Sequence, residues 1–320
     1  MSRIELTQKP TIDVIATGGA EGYALLDSGG GRKLERFGSI VVDRPEPQAL
    51  WSRRLGDARW SKAHAVFSAS GEDDEKGRWR IDKPVPDEWP VALSTTSAVT
   101  MGCRLQGLWH LGLFPEQLPH WQFMLDRLPG GDGRRSAAPS PPKRVLNLFG
   151  YTGAASLLAA GAGAEVTHVD ASKKAVAWGR DNQSLSRLGE AKIRWLVDDA
   201  VKFAAREVRR GKTYDVVLLD PPKFGRGPEG EVFDLYRNIA PLLADCGKLL
   251  APGPSAMILT VYAIRASALA FGELVRETMS GRPGTISAGE LALIEEGGER
   301  LLPTSLFVRW TGQAGGEGAP

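Results

Sequence analysis

The amino-acid sequence predicts an α/β protein: a doubly wound sheet that ends in an antiparallel hairpin, with a small β-rich domain ahead of it. Three observations carry this reading. After residue 143, short apolar runs alternate with helical segments, as the β-α units of a parallel sheet do. The alternation breaks at the end, where a helix is followed by two strand-like runs. Residues 20–128 have another texture, with short strand-like segments and six of the nine tryptophans. The stretch PGGDGRRSAAPSPP (129–142) sets them apart, because a Gly-, Pro- and Ser-rich segment can bury little.

The elements follow in order. Met1 to Pro10 is polar, and residues 1–19 read as a flexible N-terminus. YALLDSGGGRKLERFGSIVV (23–42) places two apolar runs around a glycine cluster, as a hairpin does. HAVFSAS, RWRI, VALSTTS and VTMGCRL continue as short strands to residue 105. Most of the six tryptophans suit the core of a small β domain. Arg53, Arg54, Arg59 and Lys62 interleave with Trp51 and Trp60, either as a basic-aromatic patch or as a solvated face. Beyond the linker, strands are expected at 144–149, 165–170, 193–197, 214–219 and 256–261, then at 285–294 and 305–310, seven in all. Helices are expected at 154–160, 172–188, 199–210, 232–250 and 267–279. Ser172 caps the second of these, and the third has an acid at its start and bases at its end. The run YDVVLL at 214–219 is nearly all apolar, as a strand covered on both faces should be. The domain therefore spans 143–312, and GQAGGEGAP leaves 313–320 as a disordered tail.

Bulk properties narrow the classes. A chain of 320 residues with 42% hydrophobic content has material for two cores. Its net charge of +2 permits a nucleic-acid partner without demanding one. Two cysteines, Cys103 and Cys246, exclude a disulfide framework and a cysteine-rich metal site. His64, His110, His120 and His168 lack metal-ligand spacing, so no metal is expected. His168 reads as a core histidine and His110 as a candidate substrate contact. No targeting segment is visible, and no apolar run reaches the roughly 18 residues of a membrane span. A cytoplasmic protein is expected.

In an open α/β sheet, ligands bind beyond the carboxyl ends of the strands. The first strand leads into Asn147-Leu148-Phe149-Gly150-Tyr151-Thr152-Gly153. Gly150 and Gly153 let the backbone turn sharply and approach a ligand, although a plain tight turn explains them as well. The second strand ends in Asp170-Ala171-Ser172. A carboxylate there can accept both hydroxyls of a ribose, or it can cap the helix. The third ends in Asp198-Asp199-Ala200, where a carboxylate can accept from an adenine amino group or serve as a helix N-terminal acid. All three at successive strand ends point to a nucleoside cofactor. The first turn has only G-x-x-G with bulky Tyr151 inside it, which argues against the pyrophosphate of NAD. A sulfonium cofactor has no phosphate and needs no such cradle.

Asp220-Pro221-Pro222-Lys223-Phe224 follows the fourth strand directly. Two prolines stiffen the loop and remove its donors. The Asp220 side chain and the nearby carbonyls are then fixed acceptors for the amino or imino edge of a base, on which Phe224 can stack. A rigid β-to-α connection with an incidental aromatic is the plainer alternative.

NLFGYTG, Asp170, the DDA at 198–200 and LDPPKFGRG at 219–227 resemble the bacterial large-subunit ribosomal RNA methyltransferases of the Asp-Pro-Pro-Lys-Phe type. The resemblance covers roughly residues 105 to 310 and includes GLWHLGLFPEQ (107–117), similar to the segment that packs over the cofactor there. It implies a class I methyltransferase fold, S-adenosylmethionine as cofactor and a base in RNA, ribosomal by analogy, as acceptor. Carried over, it nominates Phe114 and Gln117 over the cofactor, Phe149, Tyr151, Thr152 and Gly153 around the methionine part, Asp170 at the ribose, and Asp199 with Ala200 at the adenine. Asp220, Pro221, Pro222 and Phe224 become the catalytic set. Lys223 and Arg226, with Arg265, can meet RNA phosphates or stay as solvated charge.

Two departures shape the expectation. Residues 1–100 carry no recognisable copy of the RNA-binding module that such relatives often bear. Relatives that methylate carbon 5 of cytosine have a nucleophilic cysteine after the fifth strand, and here that stretch reads LTVYAI (259–264). Carbon 5 needs a covalent adduct to become nucleophilic. Direct transfer to a ring or amino nitrogen is therefore expected. Methylation of a protein side chain or small molecule is the alternative, and a catalytically silent RNA-binding protein the second.

Overall fold

The computed structural model describes residues 11–18, 20–70, 73–94, 98–128, 141–262 and 264–313. The linker expected at 129–142 and the tail expected at 313–320 fall almost wholly outside them. The first part of the chain runs β1 (Ile12–Thr17), β2 (Tyr23–Gly29), β3 (Arg32–Phe37), β4 (Ile40–Pro45), α1 (Asp57–Trp60), β5 (Ala65–Ser70), β6 (Asp73–Ile81), β7 (Trp89–Ser94) and β8 (Ala98–Cys103). A 3-10 turn (Pro115–Gln117) leads into α2 (Leu118–Leu125). The second part runs β9 (Arg144–Leu148), α3 (Ala154–Gly161), β10 (Glu165–Asp170), α4 (Lys173–Leu185), β11 (Ile193–Val197), α5 (Ala200–Arg209) and β12 (Val216–Leu219). It continues with β13 (Phe224–Arg226), β14 (Val232–Asp234), α6 (Leu235–Leu249), β15 (Ala256–Val261), α7 (Ala268–Thr278), β16 (Gly284–Ile294) and β17 (Leu301–Gly312).

Among the described residues the main sheet has eight strands in the order β1-β16-β17-β15-β12-β9-β10-β11. β17 is antiparallel to both neighbours, and the pairs from β15 to β11 are parallel. The chain winds outward from β9 to β11, then restarts on the other side at β12. This reversal opens a crevice above the ends of β9 and β12, where such sheets take their ligands. The helices start where polar caps end the backbone's extended run: Ser172 accepts from Ala175 N–H, Asp199 from Lys202 N–H and Asp234 from Arg237 N–H.

Side chains alternate across the sheet as period-2 strands require. Val216 and Leu218 of β12 join one core, while Val217 and Leu219 join the other. The second core lies under α5, α6 and α7. The first is shared with the N-terminal strands, so Tyr23, Phe37, Val91 and Met101 pack in one cluster with Val145, Leu157 and Ile258. Each fully buried side chain of this size contributes about 1.5–3 kcal/mol. The N-terminal strands form a five-stranded sheet, β2-β3-β4-β5-β6, and a β7-β8 pair, which cover that face.

Several expectations change. Ile12–Thr17, placed in a flexible N-terminus, is instead the eighth strand, parallel to β16. Gly289 makes this possible, because a Cβ there would overlap the Asp13 carbonyl. The helix expected from 232 begins only at Leu235. Val232–Asp234 pairs with Phe224–Arg226 as a small hairpin, and Asp234 then caps the helix. The strand expected at 214–219 starts at Val216, with Tyr214 making only an isolated bridge to Leu250. β17 begins at Leu301, ahead of the expected 305. Pro303 pairs with Ala292, where a bulge shifts the register after Leu291, and bulges are where a strand tolerates proline.

Candidate active site

The loop after β9 has an unusual backbone. Phe149 (φ 58°) and Tyr151 (φ 50°) both adopt the left-handed region, at a cost of roughly 1–2 kcal/mol each for a residue with a side chain. Neighbouring groups hold the loop there. Tyr151 N–H donates to Asp170 Oδ2 at 2.8 Å, and Gly150 N–H to the Val169 carbonyl at 3.1 Å. The Thr152 hydroxyl donates to the Gly112 carbonyl at 2.5 Å, and Asn182 Nδ2 to the Thr152 carbonyl at 3.0 Å. Phe149 meets Phe233 edge-on at 5.1 Å, and Tyr151 leans on Phe114 at 5.4 Å. Strain concentrated this way at a strand end is a mark of a functional loop.

The two glycines of the loop serve the packing beneath it. A Cβ on Gly150 would overlap the His168 ring, and one on Gly153 (φ 88°) would lie 2.6 Å from the Trp195 ring. Asn147 is buried, donating to Ser156 Oγ at 2.9 Å, which in turn meets His168 Nδ1 at 2.9 Å. His168 is the core histidine expected, except that its Nε2 has no partner. Burial holds its pKa down to about 3.

A cleft of about 880 Å³ opens above the strand ends. Phe149, Tyr151, Asp170, Ala171, Ser172, Asp199 and Ala200 line one half of it. Asp170 is built into the backbone: Oδ2 accepts from Tyr151 N–H and Oδ1 from Ser172 N–H, each at 2.8 Å. Burial raises its pKa, and those two donors oppose the rise. Asp199 caps α5 through Lys202 N–H at 2.8 Å and still faces the cleft. Asp198 does not line it and pairs with Arg206 instead. Asn147, Gly150, Thr152 and Ala154 border a smaller cavity of about 60 Å³, shared with Phe114, Gln117 and Asp220.

Asp220 stands where the two cavities meet. Gln117 Nε2 donates to its Oδ2 at 3.1 Å, and the Thr260 hydroxyl donates to Gln117 Oε1 at 3.1 Å. Its Oδ1 is buried with no partner. Burial, aided by the nearby Glu116 carboxylate, pushes its pKa up to about 8, so it changes charge near neutral pH. Pro221 is buried and Pro222 lines the cleft. Phe224 is 57% exposed on the β13-β14 hairpin and is not part of the lining. Arg226 lines the mouth, while Lys223 is exposed outside it.

The other half of the cleft comes from places the sequence did not flag. Lys33, Arg44, Glu46 and Trp109 contribute from the N-terminal strands and the segment after β8. Arg44 is locked to Glu35 at 2.6 Å and to the Trp109 carbonyl at 2.9 Å, and Lys33 pairs with Glu46 at 3.2 Å. No local motif announces Lys33 and Arg44, because they lie on ordinary strand positions and meet the rest only in the folded chain. His110 accepts from Trp109 Nε1 at 3.0 Å and packs against Phe114 at 5.0 Å. Burial keeps it neutral, with a pKa of about 3. Cys103 and Cys246 are buried away from the cleft with raised thiol pKa values, Cys103 to about 12.

Comparison with known proteins agrees with this geometry. Residues 123–285 match the model of the S-adenosylmethionine-dependent methyltransferase family. The "Ribosomal RNA large subunit methyltransferase K/L" of Shewanella baltica strain OS195 is 33% identical over 215 residues, which cover 64% of this chain but 28% of that protein's length. The protein of the same name from Hahella chejuensis is 40% identical over 116 residues, 36% of this chain and 16% of its own. The crystal structure of a SAM-dependent methyltransferase from Agrobacterium tumefaciens matches along nearly the whole length. It is 43% identical with a TM-score of 0.86, covering 96% of this chain and 97% of that one. The strand order and the crevice at the reversal are thus those of a class I methyltransferase, and the chain belongs to the S-adenosylmethionine-dependent methyltransferase family.

Proposed function

We propose that this protein transfers a methyl group from S-adenosylmethionine to a nitrogen of a base in ribosomal RNA. The observation that carries the nitrogen assignment is Asp220, an acceptor oxygen without a partner beside the cofactor half of the cleft, with no thiol in reach. The RNA assignment draws on the names of the K/L relatives, of which this chain spans 28%. An RNA acceptor also places the reaction in the cytoplasm.

The residues present fit the cofactor. Asp170 would take the ribose hydroxyls, since each of its oxygens has lone-pair capacity beyond one backbone donor. Asp199 would accept from the adenine amino group beside Ala200, with Ala171 and Ser172 closing that side. Phe149, Tyr151, Thr152 and Gly153 would surround the methionine part, over Asn147 and Gly150, with Phe114 against Tyr151. When bound, S-adenosylmethionine supplies an electrophilic methyl group. The chain's own task is to hold the acceptor nitrogen in line and keep water away. Asp220 would accept an N–H of the base and take up the proton released after transfer, which a group poised near neutral pH does well. The stiff Pro221-Pro222 pair fixes that carboxyl's backbone. Phe224, Lys223 and Arg226 would contact RNA around the mouth and not the target base itself.

One observation favours a second acceptor. Lys33 and Arg44 pair with Glu46 and Glu35 and lend their charge to Glu116, whereas Asp220 has no ion pair among the described residues. A cationic amine of a protein or small molecule would suit that wall. The test is transfer of labelled methyl to RNA and protein fractions of a strain lacking the gene. Label in RNA, found as an N-methylated nucleoside after nuclease digestion, is the expected result. Label in protein alone would move the reading to the second acceptor, and a C-methylated nucleoside would overturn the nitrogen assignment.

A further inference from the structure

We propose that Thr260 and Gln117 form a positioning relay that gives the two oxygens of Asp220 separate tasks, engaging Oδ2 and reserving Oδ1 for the proton of the acceptor nitrogen. The relay joins three distant parts of the chain: the 3-10 turn before α2, the loop after β12 and the end of β15. Its two contacts are both 3.1 Å, between Thr260 Oγ1 and Gln117 Oε1 and between Gln117 Nε2 and Asp220 Oδ2. All three side chains border the cleft.

The chemistry of the groups sets the direction. In its ionised form, the one that takes up a proton, Asp220 only accepts, so the end of the amide that then faces it must be the NH₂. The amide oxygen then faces Thr260, and a hydroxyl is the side chain able to donate to it. Thr260 is 2% exposed and Gln117 is 9% exposed, so water does not compete for these bonds. Without Thr260 the amide can turn over and present its oxygen to Asp220, acceptor against acceptor. With it, Oδ2 is engaged and Oδ1 is left as the basic site. Resting on the nitrogen-acceptor reading, the step is simple. The methyl–sulfur bond breaks as the nitrogen–methyl bond forms, leaving a neutral thioether and a protonated nitrogen. An N–H bond then breaks as the Asp220 Oδ1–H bond forms. On this reading Gln117 is a positioning residue and not a catalytic one. It acts through Asp220, which differs from the cofactor contact its sequence neighbourhood suggested.

The test follows the Asp220 carboxyl directly, by ¹³C NMR titration of the full-length protein, with Asp220→Asn to identify the signal. This readout needs no acceptor, so it stands even where the RNA assignment fails. Removing the donor to Oδ2 destabilises the carboxylate. Gln117→Met and Thr260→Val should therefore each raise the midpoint by about one unit. The double variant should do no more than either single change, because the parts act as one unit. Thr260→Ser, which keeps the hydroxyl, should restore the native midpoint, and S-adenosylmethionine affinity by calorimetry should stay unchanged throughout. On whichever acceptor takes label, kcat should fall about tenfold near pH 7 in the two disruptive variants. An unmoved midpoint, additive shifts, or a Thr260→Ser variant as impaired as Thr260→Val would overturn the relay. A loss of cofactor affinity in Gln117→Met with the midpoint unchanged would return Gln117 to the cofactor site.

Discussion

The two halves of the cleft are built on different principles. On the cofactor half, carboxylates are held by the backbone next to them. Asp170 takes two N–H groups within its own turn and the loop after β9, and Asp199 takes one from its own helix. On the acceptor half, Asp220 is held by a side chain 103 residues earlier, which is held in turn by one 143 residues later. Backbone donors satisfy a charge cheaply and rigidly, so these carboxylates belong to a fixed socket. A carboxyl with one neutral donor and one unpartnered oxygen is kept from water without being satisfied, and its proton affinity rises. On the proposed reading, one half binds and the other exchanges a proton.

Asp220→Asn breaks this contrast most sharply. It keeps the shape, removes the base, and should lower turnover by about 10²- to 10⁴-fold while S-adenosylmethionine affinity is unchanged by calorimetry. The same variant should be more stable. The folded pKa, about 8, lies above the ordinary 3.8, so the folded state favours the protonated form. Stability is greatest at low pH and declines as pH rises through that window. The wild-type melting temperature should therefore fall between pH 5 and pH 8 relative to Asp220→Asn, which has no such charge to bury. Equal slopes for the two proteins would place the proton elsewhere.

Asp170→Ala tests the opposite half. Two charge-assisted bonds to the loop are lost, at about 1.5–3 kcal/mol each, and Tyr151 is then free to leave its left-handed conformation. Cofactor affinity should drop about 100-fold, with stability down by about 2–4 kcal/mol once relief of the carboxylate's burial offsets part of the lost bonds. Activity at saturating cofactor should recover substantially, since Asp220 is intact. If it does not recover, the two halves are not separable. Gly153→Ala comes next. It meets the Trp195 ring and must hold φ 88°, so a loss of about 1–3 kcal/mol in chemical denaturation is expected, larger than at the open and equally left-handed Gly163.

The same contrast explains what the sequence could and could not reveal. Glu165–Asp170, Ile193–Val197 and Ala256–Val261 are strands at the expected residues, because apolar runs bounded by turn residues speak for themselves. Asp170 and Asp199 stood out because one ends its strand and the other follows its strand by two residues. Arg44 and Thr260 did not, since their place in the cleft comes from tertiary packing and no spacing encodes it. β14 was hidden for a local reason: VFDLYRNIAPLL carries helical periodicity from its first residue, and only the pairing to Phe224–Arg226 and the Asp234 cap reveal the break. The glycines after β9 were found for one reason and stand for another, clearing His168 and Trp195.

The smallest effect gives the finest test of this reading. Asp198 and Asp199 are adjacent acids at one strand end, yet only Asp199 faces the cleft. Asp199→Ala removes a helix cap worth about 1 kcal/mol and the adenine acceptor, so cofactor affinity should fall about tenfold. Asp198→Ala removes only a half-exposed pair with Arg206, worth about 0–1 kcal/mol, and should leave cofactor affinity within twofold. Position at the strand end alone treats the two as equivalent. A calorimetric titration that found them equivalent would mean that the socket is defined by charge near the strand end, and not by the backbone bonds that aim one carboxylate into it.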